Sequence, residues 1–281
     1  MGFVTRFAPS PTGQLHLGHA YSALLAFDMA QKAGGRFLLR IEDTDTARCT
    51  PVFEAQVYDD LAWLGLSWET PVLRQSENTP AYEAALAQLA GMGLLYPCSC
   101  TRGDIRRAAS APQEGAPMHG PDGVIYPGTC RHRAWSERSE TDAIRLHMGR
   151  AVDLMTTLPQ YIETGVHPEL RLTRAHLTDE IGDIVLARRD TKTAAYHLSV
   201  VVDDAAQDIT HVIRGEDLAP ATPIHVLLQA LLGLPTPIYH HHRLIRDDLG
   251  KRLAKRDDAR AIALYRAEGH TPQDIRNMVG L

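Results

Sequence analysis

The sequence predicts an α/β fold built on a parallel sheet, split by a different module in its middle and closed by a short helical tail. Three observations carry that expectation. Strand and helix signals alternate from the first residues; the alternation breaks between Cys98 and His132, where Ala111 to Gly128 is rich in Pro and Gly; and parallel-sheet signals return near Ser199. The segments divide as 1–95 and 191–240 for the two halves of one domain, 96–190 for the insert, and 241–281 for a loop and helical tail.

Phe3 to Phe7 reads as a short strand, followed by the turn-rich Pro9-Ser10-Pro11-Thr12-Gly13. A helix then runs from about Leu17 to Lys32, and Gly34-Gly35 stops it. Arg36 to Ile41 is apolar enough for a buried parallel strand. Thr50-Pro51 and Thr79-Pro80 each place a capping residue before a first-turn proline, opening helices that end near Leu64 and near Gly91 and Gly93. In the insert, Ala111 to Gly128 has no sustained period and reads as irregular loop, with strand-like pieces at Asp142–His147 and Asp183–Arg189. Ser199-Val200-Val201-Val202 reads as a buried strand and Ile209 to Ile213 as another. A helix spans Thr222 to Leu232, ended by Gly233 and Pro235, and the tail is helical from Asp258 to Gly269 and again from Thr271-Pro272.

The chain has 281 residues, 44% hydrophobic and 22% charged, which excludes a disordered or fibrous protein. No apolar run approaches the roughly 20 residues of a membrane-spanning helix, so no membrane partner is expected. The N-terminus lacks a basic segment followed by an apolar stretch, so the expected compartment is the cytoplasm. A net charge of −5 excludes a uniformly cationic surface but not a local basic face for nucleic acid. Arg102, Arg106, Arg107, Arg131, Arg133, Arg171, Arg174, Arg188, Arg189 and Lys192 are the candidates for such a face.

Cys98, Cys100 and Cys130 form a group, with Cys49 alone. In a reducing compartment a metal site is the better reading of the group than a disulfide framework. His119 and His132 are the nearest candidates for a fourth ligand by residue type. Three adjacent histidines, His240-His241-His242, cannot easily converge on one ion and receive no ligand role.

Two elements carry the chemistry. His16-Leu17-Gly18-His19 follows a strand and opens a helix. Two histidines three apart share a face there, beside the N–H groups and positive dipole of the helix start. Gly18 leaves room for a flat ligand such as adenine against the backbone. Lys251-Arg252-Leu253-Ala254-Lys255-Arg256, flanked by Gly250, puts four cations where a polyphosphate could be neutralised.

Taken in order, Arg6 to Gly13, His16 to His19, Arg40-Ile41-Glu42-Asp43-Thr44-Asp45, Val200 to Asp204, Val212 to Leu218 and the lysine loop resemble the signature set of class I aminoacyl-tRNA synthetases of the glutamyl/glutaminyl group. The family's H-I-G-H has Leu17 in place of isoleucine, and its K-M-S-K-S or K-L-S-K-Q loop has Ala254 and Arg256 here, with the second lysine kept as Lys255. The resemblance implies a Rossmann-type catalytic domain split by a zinc-containing, acceptor-binding insert. It implies that His16, His19 and Lys255 stabilise the phosphates of ATP, that Gly18 lies in the ATP site, and that Mg²⁺ enters with ATP. It further implies that Arg6, Ser10, Glu42, Tyr196 and Arg214 bind L-glutamate. Such a set is chemically coherent, because a dicarboxylate with one ammonium wants guanidinium for its acids and a carboxylate for its amine.

Only 26 residues follow Lys255, too few for a second folded domain. That resembles a stand-alone branch of the group, which activates glutamate without tRNA and esterifies it to queuosine at the wobble position of tRNA(Asp). In that branch a tyrosine four residues before the last cysteine completes a structural Zn²⁺ site, which implies Cys98, Cys100, Tyr126 and Cys130 as ligands. The alternatives are a minimal synthetase charging the tRNA 3′ end, or an RNA-binding module on the same scaffold without catalysis.

Overall fold

The structure is a computed structural model that describes residues 2–109, 119–121, 123–167, 172–189, 193–246 and 260–281. The lysine loop, Lys255 included, and the basic candidates Arg171 and Lys192 lie outside the described residues.

β1 (Val4–Phe7) is followed by α1 (Leu17–Lys32), which returns the chain to β2 (Arg36–Ile41), parallel to β1 with Arg6 opposite Leu38. Gly34 takes φ +60°, the left-handed turn that ends α1. α2 (Pro51–Trp63) starts where Thr50 accepts the N–H of Phe53 at 3.3 Å and Pro51 fills the first turn. β3 (Leu73–Arg74) extends the sheet beside β2, and α3 (Thr79–Gly91) follows.

β4 (Leu95–Cys98) begins the middle third, with α4 (Arg102–Ala109), a small hairpin of β5 (His119–Gly120) and β6 (Gly123–Val124), then β7 (Ala143–Leu146), α5 (Met148–Asp153) and β8 (Val185–Ala187). β7 pairs antiparallel with both β4 and β8. The described part of the expected Pro/Gly loop thus includes a short hairpin.

The chain returns through α6 (Tyr196–Ala206), β9 (His211–Gly215), α7 (Thr222–Leu232) and β10 (Ile238–His242), and ends in α8 (Ile262–Ala267) and α9 (Pro272–Val279). β9 and β10 are parallel, and Thr210 N donates to Val4 O at 3.0 Å, seating β9 beside β1. Gly233 closes α7 at φ +69°.

β2 shows how the layers form. Phe37, Leu39 and Ile41 pack into one apolar cluster with α1, α2 and α9, while Leu38 packs into a second with α3, α6 and α7. A strand buried on both faces sends alternate residues to opposite layers. Arg40, the next residue in the Leu38 row, is thereby delivered to the α6 layer fully buried. Ile144, Leu146 and Leu186 of the middle third share that second cluster with Leu198 and Leu227, so the insert's antiparallel sheet shares one core with the second half. Among the described residues, no helix is long and apolar enough to cross a membrane.

One expectation is corrected. Ser199 to Val202 is helix, inside α6, where the sequence reads as buried strand. A short apolar run does not separate the two, because an element buried on most faces loses its amphipathic period. Here His197 to Val201, Asp203 and Asp204 are all buried. Residues 258 and 259 of the expected tail helix lie outside the described residues, and the described helix is Ile262–Ala267; the strand expected from Ile209 begins at His211; and Thr79, expected to cap α3, is its first residue, with Asn78 at the N-cap.

Candidate active site and metal centre

The C-terminal end of β1 and the start of α1 bring the histidine pair to the edge of the parallel sheet. His16 is the N-cap of α1: its Nδ1 accepts the Gly18 N–H at 3.1 Å, and the Nδ1 of His19 accepts the His16 N–H at 3.2 Å. The two rings lie 3.8 Å apart, centroid to centroid. Because both Nδ1 atoms accept, each neutral ring carries its proton on Nε2. The imidazoles thus take up two of the backbone donors that the sequence assigned to an anion, and present ring N–H groups instead. Ala261 bridges His16, and Ile262 N donates to Leu15 O at 2.9 Å. The chain therefore emerges from the cationic segment directly against the histidine tetrapeptide.

A cleft of about 250 Å³ lies at the turn that follows β1, lined by Ser10, Thr12, Glu42, Thr44, Asp45, Gln75, Arg188 and Tyr196 among others; His16, Gly18 and His19 are not among its lining residues. Of the residues expected to bind glutamate, Ser10, Glu42 and Tyr196 line it, whereas Arg6 and Arg214 are buried and do not, Arg214 reaching only the hydroxyl of Tyr196. Arg6 is 5% exposed and holds Asp204 through Nε (2.8 Å) and NH2 (3.3 Å). Asp204 also accepts Arg40 NH1 at 2.7 Å, and Arg40 NH2 reaches Glu42 at 3.3 Å. Asp203, 3.9 Å from Arg40 Nε, is held by Gln75, Asn78 and Tyr82. Two guanidiniums thus face three carboxylates. Burial raises the Glu42 carboxyl, with Arg40 and Arg6 pulling the other way. For Asp204 burial also acts upward, but Arg6 and Arg40 outweigh it and hold its carboxyl below the usual range.

Arg214, on β9, is 5% exposed. Its NH1 lies 3.4 Å from the Tyr196 hydroxyl and 3.1 Å from His225 Nδ1, its NH2 donates to Thr222 at 2.8 Å, and its Nε donates to His241 Nε2 at 3.0 Å. Sequence reasoning assigned no role to Arg40, Asp203, Asp204, Glu163 or His241. For the first three a signal existed, since an arginine in an otherwise apolar strand requires buried counter-ions, and two aspartates directly follow the apolar Val200–Val202.

The second site lies where β4 ends. The Sγ atoms of Cys98, Cys100 and Cys130 lie within 4.8 Å of one another. The Tyr126 hydroxyl sits 3.3 Å from Cys98 Sγ and 3.5 Å from Cys100 Sγ, which is itself 3.5 Å from Cys130 Sγ. A tetrahedron with ~2.3 Å metal–sulfur bonds has edges of about 3.8 Å, so the four donors already have near-ligating separations. Tyr126 is fixed from two sides, its oxygen accepting Cys130 N–H at 2.8 Å and Arg145 stacking 3.9 Å above its ring. Burial and the neighbouring Cys130 push the Cys100 thiol up to about 11, whereas the burial of Cys130 is outweighed by its contacts with Tyr126 and Ser99, which lower it to about 6, so the two sulfurs are driven in opposite directions. Neither His119 nor His132 joins the group, and all four cysteines are free thiols. The three cysteines can hold a metal ion.

Of the basic candidates, Arg131 pairs with Asp183 (2.7 Å), Arg133 with Asp142 (2.9 Å), Arg174 with Asp153 (2.5 Å) and Arg188 with Asp45 (3.8 Å). Arg189 donates to Ser99 O at 2.8 Å, and Arg102, Arg106 and Arg107 are exposed on α4. His240, His241 and His242 diverge as successive strand residues, toward Thr164, Glu163 and Ser22 respectively.

Comparison with known proteins agrees with this architecture. The sequence pattern of the catalytic domain of class I tRNA synthetases (E and Q) matches residues 3–281. A glutamyl-Q tRNA(Asp) synthetase of Rhodobacter capsulatus is 58% identical over 99% of this chain and 100% of its own length. One from Nocardia farcinica is 42% identical over 98% of this chain and 83% of its own. The crystal structure of a glutamate-tRNA synthetase from Elizabethkingia anophelis superposes with a TM-score of 0.77 at 28% identity, and this chain spans 61% of its length. The parallel sheet, the histidine-capped helix at its edge and the end-to-end similarity have one explanation: the chain belongs to the class I aminoacyl-tRNA synthetases of the glutamyl and glutaminyl type, in the group of the glutamyl-Q tRNA(Asp) synthetases.

Proposed function

We propose that this protein activates L-glutamate with ATP, without tRNA, and transfers it to queuosine at the wobble position of tRNA(Asp). The glutamate α-carboxylate attacks the α-phosphate of Mg-ATP in line, giving glutamyl-adenylate and pyrophosphate. A hydroxyl of the queuosine cyclopentene-diol then attacks the acyl carbon, forming the ester and releasing AMP. There is little covalent work for the protein, so catalysis is positioning and charge stabilisation. His16 and His19, with protons on Nε2, donate to the phosphates; Gly18 lets the nucleotide approach the backbone; and Lys255 neutralises charge as pyrophosphate departs.

The observation that carries this reading is the excess of one carboxylate over guanidiniums in the buried cluster at the cleft. An ammonium at Glu42 completes that balance. Arg214, behind Tyr196, supplies the complementary guanidinium for a carboxylate, Arg6 contributes from its place in the cluster with Asp204, and Ser10 lines the cleft. Cys98, Cys100, Tyr126 and Cys130 would hold a zinc ion, which pins an insert with little apolar core of its own. Residues 96–190 act as the acceptor-facing module between catalytic halves 1–95 and 191–240, with 241–281 as the lysine loop and helical tail. The protein works in the cytoplasm, where its tRNA is.

Glutamate-dependent ATP–pyrophosphate exchange without tRNA tests the first step, and exchange that appears only with tRNA refutes it. Transfer of labelled glutamate to tRNA(Asp) with and without queuosine tests the second. Equal labelling of both, or label on the 3′ end, refutes the acceptor.

A further inference from the structure

Behind the cleft, a row of ionisable side chains runs from Glu163 through His241, Arg214 and His225 to His197. Glu163 belongs to a short extended segment, residues 162–166, that lies along β10. Tyr239 N donates to Ile162 O (2.8 Å), Thr164 N to Tyr239 O (2.9 Å) and Val166 N to His241 O (2.9 Å). The two backbones are so close at Gly165 that a Cβ there would meet His241 O at 2.0 Å. Glu163 Oε1 accepts the N–H groups of Gly165 (2.7 Å) and His241 (3.0 Å), while Oε2 lies 2.5 Å from His241 Nδ1. The side chains of Glu163 and His241 are 2% and 0% exposed.

Donor and acceptor roles in this row are fixed by chemistry. An ionised carboxylate only accepts, so the His241 proton sits on Nδ1 and Nε2 is a lone pair. That lone pair faces Arg214 Nε at 3.0 Å, and the Thr222 hydroxyl lies 3.2 Å from it. Arginine only donates, so His225 Nδ1 accepts from Arg214 at 3.1 Å, leaving the His225 proton on Nε2, which donates to His197 Nδ1 at 3.1 Å. Moving the proton of any one ring to its other nitrogen puts two donors face to face. Burial and the Arg214 charge hold His241 down at about 4 against the pull of Glu163, so the ring is neutral at physiological pH.

We propose that Glu163 and His241 are positioning residues for amino-acid recognition: Glu163 fixes the His241 tautomer, and His241 in turn holds the Nε of Arg214 so that its guanidinium meets a substrate carboxylate in one orientation. This rests on the reading that Arg214 binds glutamate. It gives a residue of the insert, far from every signature motif, control over the amino-acid site.

The test is Glu163→Gln, which keeps the shape and one acceptor oxygen but turns a donor toward His241 Nδ1. The ¹⁵N shifts of His241 should move from the Nδ1–H to the Nε2–H tautomer. The KM for glutamate in pyrophosphate exchange should rise about tenfold, the scale of one charge-assisted hydrogen bond, with the KM for ATP unchanged and kcat nearly so. Should Glu163→Gln fail to fold, a second pair decides. His241→Gln can offer an amide oxygen where Nε2 stood, whereas His241→Asn cannot reach Arg214, so His241→Gln should retain the lower glutamate KM. An unmoved tautomer, equal behaviour of the two His241 variants, or KM values for ATP and glutamate rising together overturns the proposal. A glutamate KM indifferent to Arg214→Lys refutes instead the assignment of Arg214, and the tautomer measurement, which needs no substrate, judges the Glu163–His241 coupling separately.

Discussion

Asp204→Asn removes the charge that two buried arginines share. Asp204 receives Arg6 Nε at 2.8 Å and Arg40 NH1 at 2.7 Å, with side chains 6%, 5% and 0% exposed respectively. Asparagine keeps one acceptor oxygen and turns an amide donor toward a guanidinium. Orphaning a buried charge costs about 3–5 kcal/mol. Arg40 retains Gln207 at 3.0 Å and Glu42 at 3.3 Å, so the low end applies, about 3 kcal/mol in urea unfolding. The control is Arg36→Ala, whose ion pair with Glu69 is half exposed; that loss should stay below about 1 kcal/mol. The pH dependence has a definite sign. The folded-state carboxyl of Asp204 is depressed, so its contribution is complete above the ordinary carboxylate value of about 4 and is lost as pH falls through the depressed one. The gap between wild type and Asp204→Asn should therefore be full at neutral pH and narrow in acid. A variant no less stable than the Arg36→Ala control, or a gap that widens in acid, would show that the charges are not coupled as drawn.

Three further outcomes follow from particular contacts. Cys130→Ser should lose most bound metal by elemental analysis and melt at lower temperature, while Tyr126→Phe, which keeps three sulfurs, should retain the ion less tightly; unchanged metal content in Cys130→Ser refutes the site. Gly165→Ala should cost about 2 kcal/mol or more in unfolding experiments, since the new methyl group must push the segment off β10; a neutral effect means the close approach is absent. Hydrogen bonding to Arg133, partly opposed by burial, lowers the Asp142 carboxyl to about 2, so Arg133→Ala should cost on the order of 1 kcal/mol at neutral pH. That cost should disappear as the pH falls from about 4 toward 2, and a pH-independent loss would assign Arg133 to packing instead.

What the sequence made legible is what local chemistry decides. Thr50-Pro51 and Thr271-Pro272 start helices where a hydroxyl caps and a proline fits, and Gly34 and Gly233 end them with a left-handed turn. The elements that escaped are decided by distant partners. Val200 to Val202 has strand composition, yet it is helix because Asp203 must meet Tyr82 and Arg40 while Asp204 meets Arg6, contacts more than 100 residues apart in sequence. β10 escaped because three of its five residues are histidine, which reads as solvent-facing loop; the flanking Pro235 and Pro237 were the faint signal. The residues expected to bind glutamate stood out as motifs, but the carboxylates that hold Arg6 did not, since nothing local names a counter-ion.

Strand register explains why these charges can be buried at all. Arg6 stands opposite Leu38, and Arg40 is two residues further along β2, so both project to the same face and can share Asp204. Arg214 stands directly opposite His241 on β10. With histidine also at 240 and 242, a slip of β10 by one residue would still bring an imidazole beside Arg214, and side-chain type alone does not choose among them. In the register present, Glu163 binds the backbone N–H and the Nδ1 of the same residue, His241. Segment 162–166 ties down the strand residue that faces Arg214, and the contact that seats the segment on β10 also fixes the proton of His241.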